Sequence, residues 1–172
     1  FPVKALKHIN MINTRLLTEA TRAVNYKQLK VSSAAFPNEG LIPLKYTCDG
    51  RNINPPINIE HIPKETKCLA LIVDDPDAPA GSWAHWLAWN IPVTHHIKEN
   101  EIHGKEGVND FQRQHYDGPC HLSGTHRYSF KVYALDTLLS LPANTKKEQL
   151  EKAMSEYIIA FGELTGLYNR MN

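Results

Sequence analysis

Six consecutive apolar residues, Cys68-Leu69-Ala70-Leu71-Ile72-Val73, run directly into Asp74-Asp75-Pro76-Asp77-Ala78-Pro79, and this junction constrains the fold more than any other stretch. An unbroken apolar run bounded by turn residues reads as a central strand covered on both faces. Pro76 and Pro79 stop the strand and hold the carboxylates in a fixed loop. A second such run, His85–Ile91, is richly aromatic. Tyr128, Phe130, Val132 and Ala134 alternate with Ser129, Lys131 and Tyr133, the pattern of a half-buried strand. Leu29–Ser33 and Ile42–Thr47 read as shorter strands. Asp49-Gly50 marks a turn, and Asn54-Pro55-Pro56 forces extended backbone.

The period changes near both ends. Leu150, Met154, Tyr157, Ile158 and Phe161 form one helical face, with Thr145 as N-cap, Glu148 reaching back and Gly162 as the stop. Glu163–Tyr168 follows as a final strand. Residues 1–28 place Leu6, Ile9, Ile12, Leu16, Ala20 and Ala23 at helical steps beside a basic face. That extension reads as a helix packing on the domain or on a second copy, as a transit-like or membrane-surface segment, or as a disordered arm. The division is thus a basic amphipathic extension at 1–28 and a single domain at 29–172. A mainly β chain with Pro/Gly turns and helical trim argues a β-sandwich.

The formal net charge of +1 argues against a nucleic-acid partner. No apolar run approaches the roughly 18 residues of a membrane span. Cys48, Cys68 and Cys120 are odd in number and lack C-x-x-C spacing. A disulfide framework is therefore not expected, free thiols suit a reducing compartment, and the bridging of one pair stays open. Neither H-E-x-x-H nor paired Cys or His spacing is present, so no metal and no cofactor is expected.

Two stretches carry the chemistry: Asp75-Pro76-Asp77-Ala78-Pro79 with Trp83 and His85 beyond it, and Gly124-Thr125-His126-Arg127-Tyr128. His126 and Tyr128 are two apart and share a face of an extended strand, while Arg127 points away toward a structural ion pair. A turn after Asp75 lets His85 fold back toward it. Gly118, in Tyr116-Asp117-Gly118-Pro119, allows close backbone approach. Imidazole, phenol and amide donors suit an oxyanion, with Asp75 orienting a histidine.

These motifs resemble the phosphatidylethanolamine-binding proteins, also called Raf-kinase-inhibitor-like proteins, closest to their small bacterial and archaeal branch. Thr47-Cys48-Asp49-Gly50, Asn54-Pro55-Pro56, Trp89-Asn90-Ile91-Pro92, Asn109-Asp110-Phe111 and Tyr133-Ala134-Leu135-Asp136 support the likeness, which spans about Leu29 to Arg170. The resemblance implies an antiparallel β-sandwich of Greek-key type with an anion pocket at one end. It implies that Asp75, His85, His126 and Tyr128 line the pocket, that Pro76, Trp83, Gly118 and Pro119 shape it, and that Ala78–Pro79 is a candidate cis bond. Its ligands would be phosphate-like anions or phospholipid head groups, and some relatives inhibit kinases or serine proteases. Two departures stand out. Ala84 precedes His85 where relatives often carry a second histidine, and His121-Leu122 follows Cys120 where many carry Pro-Pro, which implies a less rigid loop and an added donor, His121, near the mouth.

The expectation is a binding protein with a small anion pocket, regulatory in the manner of a kinase inhibitor, and not an enzyme. Two alternatives are a serine protease inhibitor-like protein and a small hydrolase built on Asp75, His85 and His126, with Ser82, Ser123 or Cys120 as nucleophile. A homodimer and a kinase or protease partner are open readings. The free thiols favour the cytoplasm, with the periplasm as the alternative, since family members occur in both.

Overall fold

The computed structural model describes residues 26–171. The helical pattern expected within residues 1–28 falls almost wholly outside them. Ten strands follow in order: β1 (Lys27–Gln28), β2 (Lys30–Ser32), β3 (Gly40–Leu41), β4 (Ile57–Glu60), β5 (Cys68–Asp75), β6 (Trp83–Ile91), β7 (His96–Ile97), β8 (Lys105–Glu106), β9 (Gly124–Leu135) and β10 (Ile158–Arg170). One helix, α1 (Lys147–Met154), lies between β9 and β10, and a single 3-10 turn spans Leu44–Tyr46.

The large sheet runs β1-β10-β9-β5-β6-β8, with β3 also beside β10; the small sheet runs β2-β4-β7. The long strands β6, β5, β9 and β10 are mutually antiparallel. The expected all-antiparallel character gives way at one edge, where β1 and β3 both run parallel to β10. After β6 the chain passes over β5 to begin β9 on its far side, which puts β5 at the centre.

That position explains the apolar run. Leu69, Leu71 and Val73 face the core between the two sheets, with Ile57, Ile59, Trp86 and Phe130. Cys68, Ala70 and Ile72 face a second core, closed by Leu150 and Met154 of α1. Every residue of β5 is buried, because both sheet faces are covered. The strand also extends past Val73 through Asp74 and Asp75, so these carboxylates belong to the ladder and not to the loop.

The C-terminal helix is shorter than its pattern suggested. It ends at Met154, and Tyr157, Ile158 and Phe161 belong to the following turn and to β10. Its cap sits one residue later than expected: the Lys146 N–H donates to Gln149 Oε1 at 2.9 Å, while Thr145 Oγ1 donates to the Pro142 carbonyl. Gly162 lies mid-strand and is no helix stop. A Cβ there would sit 2.5 Å from the Leu29 carbonyl oxygen, so close passage of the N-terminal chain requires glycine. Ile42–Thr47 is likewise not a strand: it contains the 3-10 turn, with Pro43 and Thr47 at its ends.

Cys48 and Cys120 form a disulfide across 72 residues, which corrects the expectation of free thiols and removes that argument for a reducing compartment. Cys68 is free and buried, and burial pushes its thiol above the ordinary range. Among the described residues no peptide bond is cis, Ala78–Pro79 included. No helix among them is long and apolar enough to cross a membrane.

Candidate functional site

The site begins with strand parity. Along β5 successive side chains alternate, so Asp74 and Asp75 point to opposite faces of the large sheet. Asp74 turns toward α1, where Lys131 Nζ and Lys147 Nζ approach its Oδ2 at 3.1 and 2.6 Å. Burial raises its proton affinity, but the two ammonium groups outweigh that and hold its carboxyl below the usual carboxylate range. Asp75 turns the other way. Its Oδ1 accepts the Asp77 N–H at 2.8 Å and its Oδ2 meets His126 Nδ1 at 2.6 Å.

His85 reaches the same region through a β-bulge. Val73 pairs with Trp86 and Asp74 with Ala84, leaving His85 as the extra residue in β6. The bulge turns His85 and Trp86 to one face despite their adjacency. Freed from the ladder, the His85 carbonyl accepts from Asn109 Nδ2 and from the Asp117 N–H, both at 3.1 Å. Its ring donates from Nδ1 to the Asp117 carbonyl at 2.7 Å, and lies edge-on to Phe111 and Tyr128. Burial pushes His85 below the ordinary imidazole range, although the Asp117 carbonyl and the Asp75 charge both favour its protonated form.

A cavity of about 520 Å³ opens here. Asp75, Trp83, His85 and His126 line it, together with Phe111 and His121. Asp75 therefore does orient a histidine, but the partner is His126 on β9 and not His85. Trp83, at the rim, is 36% exposed and meets Phe111 edge-on.

The other four expected residues stand behind or beside this wall. Tyr128 is fully buried, and its hydroxyl lies 2.7 Å from His121 Nδ1. Burial, and then the Asp75 charge, raises its pKa. The Gly118 N–H donates to Asn52 Oδ1 at 2.7 Å, so this amide serves the loop. A Cβ at Gly118 would fall 1.9 Å from the Tyr46 carbonyl oxygen: glycine is needed for close approach of the chain. The Pro119 carbonyl accepts from the Cys48 N–H, and Pro76 lies exposed in the turn after β5. Arg127 points away as expected and pairs with Asp77 at 2.8 Å; its guanidinium holds the Asp77 carboxyl down at about 2.

Phe111 lies outside the expected set, and His121, expected as an added donor near the mouth, spends both ring nitrogens within the protein. Phe111 walls the cavity, and its own N–H donates to Asn109 Oδ1. The Asn-Asp-Phe triplet was the only sequence signal for it. His121 stacks on His126 with ring centroids 3.9 Å apart and planes within 6°. Its Nε2 donates to the Gly124 carbonyl at 2.6 Å, so its Nδ1 accepts from Tyr128 when the ring is neutral. Among the described residues no group of histidine, cysteine and carboxylate side chains is arranged to hold a metal ion.

A family model described as phosphatidylethanolamine-binding protein matches residues 32–169. A UPF0098 protein of Pyrococcus abyssi is 50% identical over 155 residues, which cover 84% of this chain and 86% of that one. A UPF0098 protein of Pyrococcus horikoshii is 50% identical over 153 residues, 83% of this chain and 77% of that one. Among solved structures, a phosphatidylethanolamine-binding protein homologue of Chlamydia trachomatis has a TM-score of 0.80 at 39% identity, covering 84% of this chain and 99% of that one. YbcL of E. coli, described as a member of the mammalian PEBP family, has a TM-score of 0.78 at 27% identity, covering 84% and 100%. With the matched region running from β2 almost to the end of β10, the chain belongs to the phosphatidylethanolamine-binding protein family.

Proposed function

We propose that this binding protein takes a small oxyanion, either phosphate or a phosphate-bearing head group, in the cavity beside Asp75. One observation carries the reading. His85 and His126 both line the cavity, and each commits Nδ1 to a fixed acceptor, the Asp117 carbonyl and the Asp75 carboxylate. Nε2 is then the ring atom left to each histidine for a ligand. A neutral imidazole held this way accepts a proton at Nε2 and becomes a charge-assisted donor to an anion. The hydrolase reading loses one of its nucleophiles, since the Cys120 sulfur is bonded to Cys48.

His126→Asn is the sharpest test. The asparagine amide nitrogen falls near the place of Nδ1 and can still donate to Asp75, while Nε2 is removed. Titration calorimetry with inorganic phosphate should show at least tenfold weaker binding, since a hydrogen bond to a charged group is worth about 1.5–3 kcal/mol. Unchanged affinity in the folded variant refutes the assignment of His126.

The second test is pH. The free protein keeps His85 neutral near pH 7, because burial depresses its pKa. A bound anion favours the imidazolium, so the complex holds more protons than the free protein and affinity rises as pH falls. Without ligand the sign reverses for stability. The fold is favoured above the unfolded imidazole value of about 6.5 and loses that contribution as pH drops toward the folded value. Calorimetry between pH 8 and 6 with sulfate, which does not titrate there, should show tighter binding and proton uptake. Flat affinity with no proton uptake removes His85 from the site.

A further inference from the structure

We propose that the Cys48–Cys120 disulfide makes anion affinity depend on thiol redox state, by holding His121 as the positioning residue for His126. The inference rests on the anion-site reading above, but part of its test needs no ligand.

The segment between Pro119 and β9 is one wall of the cavity: Cys120, His121, Leu122 and Ser123 all line it. It has few anchors. Leu122 is 85% exposed, and Ser123 and Gly124 are also exposed. The covalent bond from Cys120 to Cys48 fixes the start of the segment to the body of the protein, beside the hydrogen bond from the Cys48 N–H to the Pro119 carbonyl at 3.1 Å, and the His121 ring adds its contact with buried Tyr128. Arg170 adds a donor to the His121 carbonyl at 3.1 Å. Cys48 itself follows the 3-10 turn that packs under Gly118. The bond thus ties the exposed side of the cavity to the loop that packs under Gly118.

The next residue after the bond carries the effect. His121 commits both ring nitrogens, to Tyr128 and to Gly124, so it is not itself a donor to the anion. Its ring face lies flat on His126 at 3.9 Å. His126 is therefore gripped in two directions, in its plane by Asp75 and across its plane by His121. A ring fixed this way presents Nε2 at one angle, and binding need not first order it. Both cysteines are half-buried, and Cys120 lines the open cavity, so a small thiol can reach the bond. Attack of a thiolate on one sulfur releases the other as thiolate through a mixed disulfide. A second equivalent of reductant thiol then frees the protein as a dithiol and leaves as its own disulfide. The two electrons come from the two thiol equivalents, one from each.

Reduction then leaves the 120–124 wall held only by hydrogen bonds, and the stack on His126 loosens. The experiment uses the full chain, oxidised or reduced with excess dithiothreitol, and inorganic phosphate as the probe. Phosphate affinity should fall at least tenfold on reduction. Independently of any ligand, NMR should show amide exchange at residues 120–124 at least tenfold faster and the downfield Nδ1 proton of His126 lost to exchange. His121→Ala with the disulfide intact should reproduce the loss of that proton and the weaker binding. A reduced, folded protein with the same exchange rates and the same His126 signal overturns the inference. Global unfolding on reduction also overturns it, since the wall would not then be the responding element. If the NMR changes occur but the oxidised protein binds no phosphate or sulfate, the redox-held wall stands and the anion reading falls.

Discussion

Replacing Asp74 by alanine is expected to lower stability by about 3–5 kcal/mol, the cost of breaking a buried ion pair from one side. Asp74 is completely buried, and its carboxylate is what brings Lys131 and Lys147 together. Both lysine side chains are only about one-fifth exposed, so their charges are poorly hydrated once the carboxylate is gone. Lys147 opens α1, so the same change loosens the helix that closes the second core. The acid side of the wild-type stability curve carries the same signature. Because the folded carboxyl lies below its ordinary value, its contribution is complete above the unfolded carboxylate range and is lost as pH falls through the folded value. Urea titration of the variant at pH 7 measures the effect. A loss under 1 kcal/mol means that water or rearrangement satisfies the lysines, and the triad is then not a structural anchor.

Changing both Cys48 and Cys120 to alanine is expected to cost about 4 kcal/mol, the loop-entropy value for a crosslink spanning 72 residues. The crosslink acts mainly on the unfolded chain, by forbidding extended states that span the loop between the two cysteines. In the folded state the segments it joins also meet through the Cys48 N–H and the Pro119 carbonyl, so the global fold persists while the 120–124 wall loosens. The loss should therefore appear as a lower denaturation midpoint with a cooperative transition preserved. A midpoint equal to that of the parent protein means that the unfolded ensemble is already compact between these positions. The double variant also separates stability from recognition, because its transition can be followed without any anion present.

The architecture was largely legible in the sequence, since central strands are strong signals. The run from Cys68 to Val73 needs apolar partners on both sides, and only the middle of a covered sheet supplies them. The helix boundary was not legible, for a physical reason. Met154, Tyr157, Ile158 and Phe161 satisfy three- and four-residue spacing, but Ile158 onward belongs to a strand whose period of two shares some of those positions. The disulfide was hidden because its cysteines are far apart in sequence and are brought together only by the packing of two loops. At the site, Asp75 and the two histidines were legible as residues, but their pairing was not. Which histidine meets Asp75 depends on the β5–β9 register and on the bulge in β6, and neither is written locally. Tyr128 illustrates the same limit: its place in the strand was readable, yet its hydroxyl is taken by His121, in the loop that leads into that strand.

The bulge in β6 has a wider meaning for how such a pocket arises. Ala84 and Trp86 pair with consecutive residues of β5, so the ladder closes without His85. The imidazole is supernumerary to the β5–β6 ladder and is held at the hollow by the Asp117 carbonyl and two aromatic rings. Recognition here is an inserted phrase in a sentence already grammatical without it, and natural variation can rewrite that phrase while the sheet around it stays in register.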